Sequence, residues 1–382
     1  MQCGFMGSAG LMDAKSVAGG RSAPDQGVIV HGGSLVQAAA LFPDAPTPWI
    51  DLSTGVNPHP YTRRPTPSAL LMRLPEPARH ARLCAVAAET WGVSPGAAVV
   101  AAPGTQILLA QIMMLARPTA ARPVRTMILA PTYAGHADAA RVAGHAVHEV
   151  ACHQASAPAS LMALADADVA VVVNPNNPDG RVTGRAALLR LAETMARKGG
   201  LLVVDEAFID ACPAAESLAG DVGRHGLENA LVVLRSFGKF YGLAGVRLGF
   251  AITAPAQAAR LNAILGPWSV SGPALEYGVT ALQDDAWRNA MIRRLAAEAT
   301  RLDQRLAATG LAVTGDVSLF RLVRHPRARD LFTALGRRGL WVRRFEIASG
   351  VGADAIRIGL PPDKAATHRL DQALQEFSSS IG

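Results

Sequence analysis

The stretch Leu234-Arg-Ser-Phe-Gly-Lys239-Phe-Tyr-Gly-Leu-Ala-Gly-Val-Arg247-Leu-Gly-Phe250 decides how this chain is read. It continues an apolar run, and Lys239 stands among Ser, Gly and aromatic residues instead of the polar neighbours of a solvated lysine. A lysine desolvated in such a setting holds its proton less tightly and becomes a nucleophile able to form a Schiff base. Arg247 could supply a fixed positive charge for a phosphate, and Ser236 a hydroxyl. Ser-x-x-Lys also occurs in serine acyl-transfer enzymes, but the partner motifs S-D-N and K-T-G are missing from the sequence. Amine chemistry has few other candidates. The chain holds four lysines, Lys15, Lys198, Lys239 and Lys364, against 33 arginines. Lys15 lies in a Gly-, Ser- and Ala-rich arm, Lys198 ends a predicted helix, and Lys364 begins the last one. Only Lys239 has an apolar, glycine-flanked setting.

Around this stretch the chain alternates apolar runs with helical patterns. The runs are 97–102, 126–130, 168–174, 201–208, 229–236 and 246–252, rich in Val, Ile and Leu without polar alternation. That texture predicts strands covered on both faces. Helical stretches at 104–115 and 185–197 lie between them, so the fold class is α/β with a mostly parallel sheet flanked by helices. After residue 252 the texture changes to a long amphipathic helix at 286–309, a strand around 311–323, a helix at 328–338, short strands at 340–343 and 355–360, and a closing helix with Pro361-Pro362 suiting its first turn. This predicts a smaller α+β domain. The expected division is an N-terminal arm without fixed structure (1–27), a segment contributing to the substrate site (28–60), a large domain (61–265) and a small C-terminal domain (266–382).

Of 382 residues, 50% are hydrophobic and 18% charged, enough to bury a large core and to exclude wholesale disorder. The net charge of +7 comes from scattered arginines, not from stripes or tails. A nucleic-acid partner is therefore not expected, whereas an anionic small molecule suits the charge. Cys3, Cys84, Cys152 and Cys212 form no C-x-x-C pair, and the histidines form no H-E-x-x-H, so neither a disulfide framework nor a metal site is expected. Together with the lack of a signal-peptide pattern in the first residues, this predicts a cytoplasmic protein. The uncharged stretch 97–116 is interrupted by Pro103-Gly104-Thr105-Gln106 and reads as strand, turn and buried helix, not a membrane span.

Two further motifs lie at predicted strand ends, where open α/β sheets bind ligands. Asn174-Pro-Asn-Asn177-Pro-Asp-Gly180 follows one apolar run, and Asp205-Glu-Ala-Phe208 closes another. A carboxylate buried at a strand end needs a cation or strong donor. In this order and spacing, N-P-N-N-P-x-G, D-E-A-F and S-F-G-K-F-Y-G-L-A-G-V-R-L-G resemble the fold-type-I pyridoxal-phosphate enzymes of the aminotransferase class I/II superfamily, over about residues 50–375. Nearer the start, His31-Gly-Gly-Ser34 followed by Asp51-Leu-Ser-Thr-Gly-Val-Asn57-Pro58 resembles the threonine-phosphate decarboxylases of cobalamin biosynthesis. Histidinol-phosphate aminotransferases look similar from Asn57-Pro58 onward and generally lack the His-Gly-Gly element.

The resemblance implies roles. Lys239 would carry pyridoxal 5'-phosphate, Asp205 would pair with its ring nitrogen, Asn177 with its phenolic oxygen, and Tyr133 would stack on the ring. Gly104, Thr105 and Gln106 would open a helix onto its phosphate, with Ser236 and Arg247 completing the cup. Arg357 would grip the α-carboxylate of a small phosphorylated amino acid, with Gly55 and Asn57 nearby and Arg343 as a second basic contact. His31, Gly32, Gly33 and Ser34 would receive the substrate's phosphate, or Ser34 would simply cap the following helix. A homodimer is expected. The sequence departs from the family at three places. Phe208 stands where a tyrosine is usual, Leu74 where a tyrosine reaches the neighbouring subunit, and Ser34 where Asn is usual. The expected reaction is decarboxylation of threonine phosphate. A histidinol-phosphate-like aminotransferase is the alternative, and a non-catalytic cofactor sensor is a remote third.

Overall fold

The computed structural model describes residues 32–62, 67–116, 122–152, 157–212, 216–345 and 354–380. The expected N-terminal arm and His31 lie outside them. Thirteen strands are present among the described residues: β1 (Ile50–Asp51), β2 (Ala98–Ala102), β3 (Arg125–Ala130), β4 (Ala146–Ala151), β5 (Val169–Val173), β6 (Leu201–Asp205), β7 (Leu231–Ser236), β8 (Gly249–Thr253), β9 (Val313–Thr314), β10 (Phe320–Arg324), β11 (Leu340–Trp341), β12 (Arg343–Phe345) and β13 (Ala355–Gly359).

Seven of them form the main sheet in the order β2-β8-β7-β6-β5-β3-β4. Only β8 runs against its neighbours. Successive side chains of a strand point to opposite faces, and here both faces are covered. Val169, Val171, Val203 and Val232 pack with Leu108, Ile112, Ala140 and Leu261 on one side. Ala170, Val172, Val204 and Val233 pack with Leu161, Leu188, Leu191 and Met195 on the other. This is why the runs lack polar alternation. The strand β4, missed from the sequence, is the exception: it lies at the sheet edge and leaves His148 and Glu149 exposed.

The antiparallel sheet β12-β13-β10-β9 follows, and its core is continuous with that of the main sheet, since Phe208, Phe237 and Phe250 share one cluster with Leu295, Phe320, Ile356 and Leu374. Where one strand was expected at 311–323, two short strands are separated by a turn. The long helix is Asp285–Ala308, capped by Asp284, whose Oδ1 accepts from the Trp287 N–H at 2.9 Å. The last helix, Lys364–Ser379, is capped by Asp363 through the Ala366 N–H at 2.8 Å, so Pro361 and Pro362 precede its first turn instead of forming it. Between the N-terminal segment and the sheet, a 14-residue helix Pro77–Thr90 begins with proline at its first turn. No helix among the described residues is long and apolar enough to cross a membrane.

Candidate active site

The predicted site residues meet along one edge of the main sheet. Val173 of β5 pairs with Asp205 of β6, and Asp205 with Leu234 of β7. Gly249 starts the antiparallel β8 beside both Ser236 and Ala102. The segments carrying Gly104, Tyr133, Asn177 and Lys239 therefore leave the carboxyl ends of their strands together, and Arg247 enters β8 at the same edge. One antiparallel strand brings Arg247 to an edge otherwise made of strand ends.

Lys239 sits on the one-turn helix Phe237–Phe240. Residues from the N-terminal segment clamp that turn. The Asn57 N–H donates to the Lys239 carbonyl at 3.0 Å and the Tyr61 N–H to the Tyr241 carbonyl at 2.9 Å. Asn57, expected near the substrate, has its side chain committed to this turn: Nδ2 donates to the Phe240 carbonyl at 2.7 Å and Oδ1 accepts from the His59 N–H at 2.9 Å. The Lys239 ammonium donates to the Thr54 carbonyl at 3.1 Å and lies 5.4 Å from the centroid of the Phe208 ring. Burial, helped by the positive charge of Arg357, lowers its pKa from 10.5 to about 8, against the opposing pull of Asp205.

Asp205 is buried, with Oδ2 on His136 Nε2 at 2.9 Å and Oδ1 accepting from the Ala207 N–H at 3.0 Å. His136 is itself fully buried and its Nδ1 has no partner. Sequence reasoning passed over His136 as one scattered histidine. The signal was its position three residues after Tyr133, which sets the two rings edge-to-face at 6.1 Å. The Tyr133 hydroxyl donates to Gln106 Oε1 at 2.8 Å, and burial together with the charge of Asp205 raises its pKa. Gly135 makes room for this tyrosine, since a Cβ there would lie 2.4 Å from its ring.

The three asparagines of the 174–180 loop divide their work. Asn174 holds Thr183 through Nδ2 to its carbonyl at 3.0 Å and Oδ1 from its N–H at 2.7 Å. Asn176 bonds Thr132, the Pro131 carbonyl and Asp179. Only Asn177 turns toward the arginines, its Oδ1 accepting from Arg357 Nη1.

Arg357 is 6% exposed. Nη2 donates to the Ser53 carbonyl, Nε has no partner, and Asp51 is the carboxylate whose charge acts on it, without an ion pair among the described residues. Burial, then Arg343, lowers its pKa from 12.5 to about 10. Arg343 lies directly across the β12–β13 ladder from it, with one terminal nitrogen unbonded. Like charges placed opposite each other on a sheet repel, and the Asp51 carboxylate offsets part of that repulsion at Arg357.

Gly104 has φ +90°, and a Cβ there would come 2.7 Å from Arg247 Nη2. It opens the nine-residue helix Thr105–Met113, whose free N–H groups attract anions. Ser236 leads into the lysine turn with a hydroxyl that caps nothing. Gly55, at φ +60°, lets Phe320 approach, since a Cβ would lie 2.9 Å from its ring. Gly32 and Gly33 lie on Ser53, with the Gly33 N–H donating to Ser53 Oγ at 2.8 Å. Ser34 caps the helix Leu35–Leu41 through the Gln37 N–H at 3.4 Å. A buried carboxylate, a lysine of lowered pKa, an aromatic ring, a glycine-opened helix with an arginine, and unpaired arginines fit a phosphorylated pyridine aldehyde together with an anionic substrate. Among the described residues no group of three or more His, Cys, Asp and Glu could hold a metal ion.

Comparison with known proteins agrees with this architecture. The chain is 40% identical over 350 residues to a threonine-phosphate decarboxylase of Pseudomonas aeruginosa, spanning 92% of this chain and 98% of the relative. It is 39% identical over 346 residues to one from Sinorhizobium sp., spanning 91% and 97%. The solved histidinol-phosphate aminotransferase of Sinorhizobium meliloti in complex with pyridoxal-5'-phosphate superposes with a TM-score of 0.70 at 22% identity, covering 83% of this chain and 88% of that one. The fold is thus the fold-type-I α/β architecture. The sequence pattern described as aminotransferase class I and II matches residues 48–374, and the chain belongs to that family.

Proposed function

We propose that this protein decarboxylates L-threonine O-3-phosphate to (R)-1-amino-2-propanol O-2-phosphate, with pyridoxal 5'-phosphate as cofactor, as a step of cobalamin biosynthesis. The observation that carries this reading is the buried Arg357, which forms no ion pair among the described residues and faces Arg343 across the ladder. The identity to decarboxylases over most of the chain supports it.

When bound, the cofactor supplies an electron-accepting ring. Lys239 is the residue that attaches it, and Asp205, steadied by His136 and the Ala207 N–H, presents a carboxylate to the ring nitrogen. Tyr133 covers a ring face. Asn177 gives its oxygen to Arg357 and keeps its amide N–H groups for the phenolic oxygen. Phe208 adds no hydroxyl there; its ring helps desolvate the lysine. The Gly104-Thr105-Gln106 turn, Ser236 and Arg247 hold the cofactor phosphate. Arg357 grips the substrate carboxylate and Arg343 adds charge beside it. The Gly32–Ser34 turn, with His31, receives the substrate phosphate. With its pKa near 8, the Lys239 amine can hold a proton and deliver it to Cα at neutral pH.

We also propose a homodimer, supported by the exposed apolar side chains of Leu71, Met72 and Leu74 on one short segment. A cytoplasmic location is supported by free thiols at Cys84, Cys152 and Cys212. The division at 265/266 rests on the change from the main sheet to the four-stranded one, and the two share one continuous core. Incubating the cofactor-bound protein with threonine phosphate and measuring carbon dioxide tests the function. Release supports it. Glutamate formed from 2-oxoglutarate, without carbon dioxide, would replace it with the aminotransferase reading.

A further inference from the structure

The strip Asp51-Leu52-Ser53-Thr54 has no role in the chemistry above, yet it touches Gly33, Arg357 and Lys239. Ser53 is fully buried. Its N–H and its hydroxyl both donate to Asp51 Oδ1, at 2.7 and 2.6 Å. With its proton directed there, Ser53 Oγ accepts from the Gly33 N–H at 2.8 Å. Its carbonyl accepts from Arg357 Nη2, and the next carbonyl, of Thr54, accepts from Lys239 Nζ at 3.1 Å. The strip is itself anchored to β11 and β13. The Leu52 N–H donates to the Trp341 carbonyl and the Gly359 N–H to the Leu52 carbonyl, each at 2.8 Å.

Ser53 thus has every polar group engaged, with partners from three separate segments. A serine that merely filled space would not need a half-buried carboxylate to fix its hydroxyl. The lock determines where two successive carbonyls point. One of them seats the guanidinium for the substrate carboxylate and the other seats the reactive amine.

We propose that Ser53, oriented by Asp51, is a positioning residue that fixes the separation of Arg357 from Lys239 and thereby selects which Cα bond of the substrate is broken. This rests on the decarboxylase reading. In the selected reaction the Cα–C bond breaks, carbon dioxide leaves, and the electron pair left on Cα takes up a proton. In the rejected one the Cα–H bond breaks and the proton leaves. In heavy water a deuteron then returns to Cα, which gives exchange with no net change. The choice depends on where the carboxylate is held relative to the amine, and a misplacement near 1 Å costs up to about 100-fold in rate.

The test uses the cofactor-bound enzyme in heavy water. Carbon dioxide release and deuterium entering Cα of the unreacted threonine phosphate are measured together. Binding of 3-phosphooxybutanoate, the substrate without its amino group, is measured by calorimetry. Ser53→Ala should slow decarboxylation by about 10- to 100-fold and raise the exchange-to-decarboxylation ratio by about tenfold or more, while affinity for the analogue falls by less than about tenfold. Asp51→Ala should give the same ratio, and the double variant should add nothing, because the two residues act as a unit. Asp51→Asn keeps an oxygen acceptor for both donors and should restore the ratio toward wild type. Ser53→Cys serves in place of the alanine variant if that chain fails to fold. A slower variant with an unchanged ratio overturns the proposal, as does a variant matching wild type in both rate and ratio. A wild-type enzyme that releases no carbon dioxide defeats the decarboxylase reading instead.

Discussion

The lowered pKa of Lys239 gives a measurable consequence before any substrate is added. Burial and the Arg357 charge bring it from 10.5 to about 8. At pH 7 about one amine in ten is then neutral, against about one in 2,500 for a free lysine side chain of pKa ~10.4, so its reactivity toward an aldehyde or acylating reagent should be about 200-fold greater from ionisation alone. The sign is fixed by charge. Below about pH 8 the amine is mostly protonated, and reactivity rises with pH through the midpoint and levels about one unit above it. The assay is competitive labelling of the cofactor-free protein from pH 6 to 11, reading the Lys239 peptide against a free lysine derivative. Arg357→Met removes the second-largest cause of the shift, after burial, and should move the midpoint upward while leaving it below the free value, because burial persists. A wild-type midpoint at or above 10 would refute the reasoning. So would an unmoved midpoint in Arg357→Met with the fold intact.

Further outcomes follow from neighbouring geometry. Lys239→Met should raise the Tm of the cofactor-free protein at pH 7, since it removes a desolvated cation beside Arg357; the folded pKa lies below the unfolded one, so the gain should shrink as pH rises from about 8 toward ~10.4, which melting curves across that range would show. His136→Ala leaves Asp205 Oδ2 without its partner at 2.9 Å, and the buried carboxylate should cost about 1–3 kcal/mol in cofactor binding, visible as a weaker Kd in absorbance titrations. Gly249→Ala would put a Cβ 2.4 Å from the Thr105 nitrogen. No rotamer relieves a backbone clash, so the start of the Thr105–Met113 helix must shift, and urea unfolding should show a loss of about 1–3 kcal/mol together with weakened cofactor retention.

The sequence made the main sheet legible because its central strands are apolar on both faces, and it made Lys239 and Asp205 legible because both stand at the ends of such strands. What escaped it lay where local pattern carries no signal. The strand β4 is half-exposed and reads as a polar loop. The loop asparagines are indistinguishable until folding commits Asn174 and Asn176 to backbone and neighbours and leaves Asn177 for Arg357. His136 meets Asp205 across 69 positions, and Ser53 meets Arg357 across 304, distances at which no periodicity reports a contact. Asn57 bonds the lysine turn through its side chain across 183 positions, which no local pattern reports.

Those long separations bear on the order in which the protein becomes reactive during synthesis. The amine of Lys239 is steadied by Thr54, made early, and its proton affinity is lowered by Arg357, made near the end. A nascent chain ending before β13 lacks that second charge. Without it the lysine holds its proton more tightly, so the full lowering of its pKa depends on Arg357, far along the chain, being folded against it.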